Sequence, residues 1–436
     1  VLAQQTPPAA EAAAVATAEG EVTALAPPAV PVTPAGLPTY ATSGSPDAEG
    51  SRFLLGRACE SDMLDRDLGV VEGGTWEEVG ATLASITSER SQVPLDRMLH
   101  GLKHHGRKHW VAISKAACSA VERAVLTGRL KCAIPFVRGA AATMGTELFW
   151  QLLTLYDIES AETAVVPPRR PAGCTGIACA ASGRLGQTEE VDVHVYDYGS
   201  LDIVARLRLN DSAVGKSVLI YDPACTFCPI GLSLGGLCIA RFALYPQDMS
   251  GFRAAGGIPL AVVLWELLLS ERTLQEAVDF LRSLFDIPCS SDGCVGNDSA
   301  PPLTSGAALL LGQVGHGIVS VEWSRSEIWV SPVMFEGVLA RANHCALGSS
   351  LIDNDGELSD LLDDSRRRQS EVEHFCARML SLHDGSAPLS EDRMKAALSQ
   401  PGVQNDAVLA TVIVCPHEQV LHVRFRLQTL GMETVE

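Results

Sequence analysis

A proline-rich segment at residues 165–172, VVPPRRPA, separates two hydrophobic patterns in this chain. Proline has no amide hydrogen and a fixed φ, so the segment excludes a continuous helix or a central strand. Before it, apolar residues recur every three or four positions, which predicts helices over 75–87, 110–127 and 133–160. We therefore expect 165–172 to be an exposed, mobile connector.

After the connector the hydrophobic pattern changes to a period of two, which is typical of strands. The predicted strands cover 175–181, 202–209, 217–221, 237–245, 307–311, 317–323, 327–333, 337–343, 407–415 and 419–425. The predicted helices in this part cover 258–285, 365–381 and 390–399. Helices that flank two groups of mostly antiparallel strands indicate an α/β fold built as a layered sandwich.

The first 50 residues differ in composition from the rest of the chain. They are rich in Ala, Pro, Thr and Gly and contain few large apolar side chains. Such a stretch cannot bury enough surface to offset the entropy lost on ordering. Residues 1–50 are therefore predicted to be a disordered tail.

The charge of the chain limits its partners. It carries 33 Lys and Arg against 52 Asp and Glu, a formal net charge of -19. Nucleic acids and anionic membranes attract clustered Lys and Arg, so we expect neither as a partner. No apolar run reaches the ~18 residues of a membrane helix, and no signal peptide pattern is visible. We expect the protein to be in the cytoplasm or another intracellular compartment. The sequence starts at Val1 and not at a Met, so it does not define the natural start of the chain.

The cysteines do not form a disulfide or metal pattern. Thirteen is an odd number and too few for a disulfide scaffold in 436 residues, so reduced thiols are expected. Cys225 and Cys228 have CxxC spacing, but a zinc site needs a second pair or suitably spaced histidines. Cys289 and Cys294 lack this spacing. We therefore expect neither a metal nor another cofactor.

The connector leads directly into Gly173 and Cys174 at the start of a predicted strand. Because glycine has no Cβ, the peptide before Cys174 can distort and let the thiol reach the preceding carbonyl. Cleavage there would give Cys174 a free α-amine, whose pKa is roughly 7.7–8.0 in unperturbed form. Nucleophile and general base would then belong to one residue. The alternative is an ordinary buried strand cysteine, as expected for Cys179.

Residues 173–192, GCTGIACAASGRLGQTEEVD, resemble the start of the mature catalytic subunit in the acyl-coenzyme A:isopenicillin N acyltransferase family. Other segments resemble this family in the family's own order. They are the pro-segment helices at 133–159, a hairpin at 231–244, helices at 257–283, RANH at 341–344, a helix start at 364–368 and a closing strand pair at 407–423. The resemblance spans residues 52–425.

This resemblance implies a four-layer αββα sandwich of the N-terminal nucleophile hydrolase type, which is similar to choloylglycine hydrolases. It also implies self-cleavage between Gly173 and Cys174. Residues 51–173 would then be a helical pro-segment and 174–436 the catalytic core, and the two fragments would stay associated. The Cys174 thiolate would attack the carbonyl of a linear amide or an acyl thioester, and the resulting acyl-enzyme would transfer its acyl group to water or to an amine.

The resemblance assigns an acid near the nucleophile to Glu190 or Asp192. Either carboxylate would hydrogen-bond the Cys174 ammonium or a donor on the substrate. The alternative for both is a solvated acid at a strand end.

Further site residues come from the helix start and the strand ends. Ser365 and Arg368 match a Ser and an Arg of the family, so both are assigned to the catalytic site. Ser365 is also suited to be an N-cap, and Arg368 ends a run of three arginines of the kind that more often forms a solvated face. Asn343 and Thr175 are assigned to binding, with loop hydrogen bonds as the alternative for Asn343 and its neighbour His344.

The chain departs from the family where an Asn side chain is expected to bind the oxyanion. Phe242 occupies that position and has no donor, although the position is assigned to binding. Loss of one such donor typically costs a factor of ~10²–10³ in turnover. The family's Gly-Asn-Tyr is replaced by Gly-Ala-Ala at 306–308. The alternative function is therefore a catalytically degenerate member kept as a binding or scaffold module.

Overall fold

A computed structural model of the chain describes residues 63–65, 69–101, 106–154, 157, 173–190, 202–210, 217–223, 226–245, 257–286, 303–324, 327–347, 355–381, 389–404 and 408–426. Within these residues the fold is mixed α/β, with two sheets and eight helices. The predicted tail (1–50) and the connector (165–172) lie outside them.

The strands are β1 (Met63–Asp65), β2 (Gly69–Gly73), β3 (Thr175–Cys179), β4 (Arg184–Glu190), β5 (Ile203–Leu209), β6 (Val218–Asp222), β7 (Ile230–Leu232), β8 (Leu237–Ala243), β9 (Ala307–Gln313), β10 (Gly317–Trp323), β11 (Ile328–Val330), β12 (Val338–Arg341), β13 (Val408–Cys415) and β14 (Val420–Arg426). The helices are α1 (Trp76–Gly101), α2 (Gly106–Leu126), α3 (Ala133–Met144), α4 (Thr146–Leu153), α5 (Leu260–Leu268), α6 (Leu274–Phe285), α7 (Asp355–Ser381) and α8 (Glu391–Leu398). None of these helices combines the length and apolar character needed to cross a bilayer.

One sheet has six strands in the order β1-β14-β13-β4-β3-β12, and the other has eight in the order β11-β10-β9-β8-β7-β6-β5-β2. Neighbouring strands are antiparallel except for β2 and β5. The segment before the connector is therefore not purely helical, because its strands β1 and β2 each form the edge of one sheet.

Apolar clusters lie on both faces of each sheet. One cluster joins the two sheets, with Val412 from the six-stranded sheet and Leu310 from the eight-stranded sheet among its members. Because strand side chains alternate between faces, Leu309 and Leu311 instead join the cluster formed by α1 to α6. On the six-stranded sheet, Ile177 likewise joins a third cluster with residues of α7 and α8.

Four helix predictions were wrong in their limits. The predicted helix 75–87 continues to Gly101 as α1. The predicted helix 133–160 is interrupted at Gly145, whose φ of +86° is not helical, so α3 and α4 are separate. The predicted helix 258–285 consists of two helices, and a capping box from Thr273 to Glu276 starts the second. Helix α7 begins at Asp355, so Ser365 lies inside the helix and is not its N-cap.

The strand predictions agree better with the structure. Every predicted strand overlaps an observed one, although 327–333 contains only the three-residue β11. The short strands β1, β2 and β7 and the longer β4 were not predicted as strands from their period. The segment resembling the family's hairpin does contain one, formed by β7 and β8.

Candidate active site

Cys174 directly precedes β3 and lies across from an acidic residue of β4. The two strands form a hairpin in which Thr175 is opposite Thr188, so the same register places Cys174 opposite Glu189. The thiol donates a hydrogen bond to Glu189, with 3.4 Å between Sγ and Oε2. Both side chains are buried, with 6% and 3% of their surface exposed.

Glu189 belongs to a buried polar group that links the two sheets. Arg241 of β8 forms an ion pair with it, with 3.5 Å between Nη2 and Oε1. The side-chain N–H groups of Gln187 donate to Glu189 Oε1 and to the backbone carbonyl of Arg241, both at 2.8 Å. The side-chain oxygen of Gln187 accepts from the backbone N–H of Arg241 at 3.1 Å. Burial raises the pKa of Glu189, while Arg241 and the Cys174 hydrogen bond act in the opposite direction. The carboxyl is thus a fixed, desolvated partner for the thiol.

Arg368 holds the backbone of the candidate nucleophile from the other side. It projects from α7, is fully buried, and donates to the Cys174 carbonyl at 3.0 Å and to the Thr175 hydroxyl. It also donates to Asn343 Oδ1 at 3.3 Å, and its Nε donates to Asp364 at 2.8 Å. The guanidinium therefore ties β3, the end of β12 and α7 together at Cys174.

The three consecutive arginines of α7 have different environments. The side chains of Arg366 and Arg367 are 42% and 48% exposed and pair with acids of their own helix. They form the solvated face expected of such a run. Arg368 does not belong to that face, because its side chain points into the protein interior.

Ser365 and Asn343 form a second connection between α7 and the end of β12. The Ser365 hydroxyl accepts a hydrogen bond from the backbone N–H of Asn343 at 2.7 Å and lies 3.0 Å from His344 Nδ1. The Asn343 side chain donates to the Ala243 carbonyl at 3.1 Å. Burial, followed by the charges of nearby arginines, lowers the pKa of His344 to about 4. The imidazole is therefore neutral at pH 7, and a pKa this far below 7 makes it a weak proton acceptor.

Gly173 is packed so closely that a larger residue would have to displace the side chains beside it. A Cβ built on it would overlap Asn343 Oδ1 and lie 2.6 Å from Arg368 Nη2. The peptide between Gly173 and Cys174 is thus flanked by an amide and a guanidinium, and by Glu189 on the thiol side.

Phe242 packs against the strand that carries Cys174. Its ring is fully buried in the cluster between the sheets, and its Cζ lies 2.5 Å from where Gly176 would have a Cβ. The ring offers no hydrogen-bond donor. Its neighbour across the ladder is Ala308 of β9, which adds none either.

Some sequence predictions fall where the structure gives no side chain. Glu190 ends β4, but only its backbone is described, and Asp192 lies outside the described residues. Cys225, Cys289 and Cys294 also lie outside them. Six of the remaining assigned residues lie around one peptide or pack on its strand, namely Gly173, Cys174, Thr175, Phe242, Asn343 and Arg368. The seventh, Ser365, is linked to this group through Asn343.

Sequence reasoning missed Glu189, Gln187 and Arg241. The signal for Glu189 was present in the hairpin register, because a turn at 180–183 places residue 189 opposite residue 174. No comparable local signal marks Arg241, since its contact with Glu189 depends on how the two sheets face each other.

Comparison with known proteins found distant structural similarity and no sequence relative. No family model matches this sequence, and no curated protein matches it. Among solved structures, the Caenorhabditis elegans N-acylethanolamine-hydrolyzing acid amidase (NAAA) ortholog is similar, with 15% sequence identity and a TM-score of 0.39. The match covers 58% of this chain and 100% of that chain, and the likeness is too distant to assign a function.

Proposed function

We propose that this chain is a cysteine-type N-terminal nucleophile hydrolase or acyltransferase that acts on linear amides or acyl thioesters. The observation that carries the proposal is Cys174 at the start of a strand, with its thiol on Glu189 and its carbonyl on Arg368. The proposed architecture is the four-layer αββα sandwich of that class. It is supported by apolar clusters on both faces of each sheet.

Self-cleavage is the first proposed step. The Cys174 thiol loses its proton and attacks the Gly173 carbonyl, and the C–N bond breaks as the nitrogen takes up a proton. Water then hydrolyses the resulting thioester, which leaves a Gly173 carboxylate and a free α-amine on Cys174. The close packing of Asn343 and Arg368 around Gly173 supports this step, because it fixes the peptide next to the thiol.

Turnover follows the same chemistry with a substrate in place of Gly173. The Cys174 α-amine accepts the thiol proton, the sulfur attacks the substrate carbonyl, and the leaving amine or thiol takes a proton. The acyl group remains on sulfur as a thioester and then passes to water or to an acceptor amine. Glu189 would orient the terminal ammonium and the thiol, and Arg368 would keep the backbone of Cys174 in place.

The two fragments would remain associated after cleavage. The strands β1 and β2 pair with β14 and β5 across the proposed cut. Phe136 of the first fragment stacks on Trp265 of the second, with ring centroids 4.0 Å apart. Glu266 of α5 accepts the backbone amides of Lys131 and Ala133 at 3.0 and 2.9 Å. Phe136 and Trp265 belong to one apolar cluster that contains residues from both sides of the proposed cut.

Trapping of the acyl-enzyme tests the proposed function. Purified protein is incubated with activated acyl amides, esters and thioesters of increasing chain length, and its peptides are mapped by mass. The expected result is one acyl group on the peptide that starts at Cys174. Cys179→Ala is the matched control, since Cys179 is a buried cysteine of the same strand, and it should still be acylated. Acylation elsewhere, or an unaltered level in Cys174→Ala, would contradict the proposal.

A second candidate function is a non-catalytic binding or scaffold module. Phe242 favours it, because an apolar ring without a donor packs beside the candidate nucleophile strand. A chain that cleaves itself but never forms an acyl-enzyme with any of these probes would favour this second function.

A further inference from the structure

Three side chains with metal-binding atoms converge on the six-stranded sheet near the β13–β14 turn. Glu391 is the first residue of α8, Cys415 is the last of β13, and His422 lies in β14. One ligand atom from each lies within 4.8 Å of the other two. Of these atoms, His422 Nε2 and Glu391 Oε2 lie 3.1 Å apart.

The secondary structure explains this convergence. In the β13–β14 ladder, Ile413 is opposite His422 and Cys415 is opposite Val420. Because residues two apart share a face, Cys415 and His422 are diagonal neighbours on one face of the sheet. Cys415 belongs to the apolar cluster that α8 covers. The Ser390 hydroxyl caps α8 by accepting the Arg393 amide, which fixes the first turn of that helix over the strands.

We propose that Glu391, Cys415 and His422 bind a divalent metal ion of the zinc class, with water as the fourth ligand. Thiolate, imidazole and carboxylate are the ligands that zinc takes in proteins, whereas magnesium and calcium prefer oxygen alone. Bonds of about 2.0–2.3 Å in a tetrahedron separate ligand atoms by roughly 3.3–3.7 Å. Side-chain rotations that move the ligand atoms by about an ångström are enough to reach that geometry from the observed separations.

Two cations lie near these ligands and must rearrange when the metal binds. Lys395 pairs with Glu391, and Arg184 contacts both Cys415 and Glu418. Both cationic side chains are partly exposed, so Lys395 can turn to solvent while Arg184 keeps Glu418. Binding also replaces the thiol proton with the metal, and that proton is released to solvent.

The site is separate from the proposed chemistry at Cys174. Its ligands come from the closing hairpin and from α8, on the face of the sheet opposite to the cluster that contains Cys174. A bound ion would fasten the hairpin to the helix and stabilise the folded chain by mass action.

Metal titration of chelator-treated protein tests the site. Zinc binding is measured by competition with a chromophoric chelator, and cobalt binding by its thiolate charge-transfer and tetrahedral d–d absorption. The expected result is one ion per chain with a cobalt–thiolate band. Loss of a direct ligand should weaken binding by about a hundredfold or more, since loss of an outer partner alone costs ~10–100-fold. We expect this for Cys415→Ser, His422→Gln and Glu391→Gln.

The controls separate the site from other thiols and imidazoles. Cys376→Ser removes a buried cysteine of the same apolar cluster, and His374→Gln removes an exposed histidine of α7; both should bind like wild type. Cys174→Ala should also bind normally, so failure of the proposed function leaves this result unchanged. Because Cys415 is buried, its variant can lose its fold, but His422 and Glu391 are partly exposed and report independently. Wild-type affinity in folded His422→Gln and Glu391→Gln, or no binding by wild type, would overturn the proposal.

Discussion

Replacement of Gly173 by alanine is expected to slow self-cleavage strongly without unfolding the chain. The added Cβ would overlap Asn343 Oδ1 and lie 2.6 Å from Arg368 Nη2, while ordinary Cβ contacts begin near 3.4 Å. The amide and the guanidinium must therefore retreat by about 1 Å. Arg368 donates to the Cys174 carbonyl, so the peptide and thiol lose their alignment. A misplacement of this size costs roughly 10²-fold in rate, and we expect cleavage to slow by about that factor.

The assay is a time course of intact mass at neutral pH for wild type and Gly173→Ala. Gly74→Ala is the matched control, because its Cβ would meet only the flexible Glu78 carboxylate, at 3.2 Å. Circular dichroism and thermal unfolding check the fold, since overpacking costs about 1–3 kcal/mol. A folded Gly173→Ala chain that cleaves at the wild-type rate would refute the idea that these two side chains position the peptide.

Three other predictions concern single side chains. Arg368→Lys keeps the positive charge but loses the planar guanidinium that donates several hydrogen bonds at once. The free energy of unfolding, measured in urea, should therefore fall by about 2–3 kcal/mol, and cleavage should slow. A variant as stable and as fast as wild type would contradict the role given to Arg368. Phe242→Asn should raise the acylation rate with KM unchanged or higher, at a stability cost of about 3–5 kcal/mol; a folded, cleaved variant no faster than wild type would place the oxyanion donors elsewhere. Burial raises the pKa of Asp157 to about 7 from 3.8. The folded chain then binds this proton more tightly than the unfolded chain, so stability falls by about 3 kcal/mol between pH 4 and 7 through this group. In an uncleaved Cys174→Ala background, Asp157→Asn should reduce the fall in the free energy of unfolding between pH 4 and 7, as measured by urea unfolding. An unchanged fall would contradict the contribution assigned to Asp157.

The sequence predicted the parts of the fold that depend on local pattern. The change of period around residue 170 separates the α3–α4 region from the strands β3 onward, and it places Cys174 at a strand start. The limits of helices were less predictable where a single backbone angle decides them. Gly145 interrupts a continuous apolar stripe with a positive φ, and the stripe itself carries no sign of that break.

The candidate site was only partly predictable, because its contacts are tertiary. The three arginines at 366–368 cannot be told apart in the sequence, yet only Arg368 is enclosed between α7 and β3. Ser365 was assigned to the site but to the wrong position in its helix, since α7 starts ten residues earlier. Identifying Glu189 required the register of the β3–β4 hairpin, whereas the family resemblance assigned the acid to Glu190 or Asp192.

The intact mass of the purified chain tests the central claim most directly. If Cys174 is an N-terminal nucleophile, wild-type protein should separate under denaturing conditions into fragments 1–173 and 174–436, which migrate together when native. Cys174→Ala should remain one chain, because no thiol can attack the Gly173 carbonyl, and Cys179→Ala should cleave like wild type. A wild-type chain that stays at full mass after days at neutral pH, or a Cys174→Ala chain cut at the same place, would contradict the account.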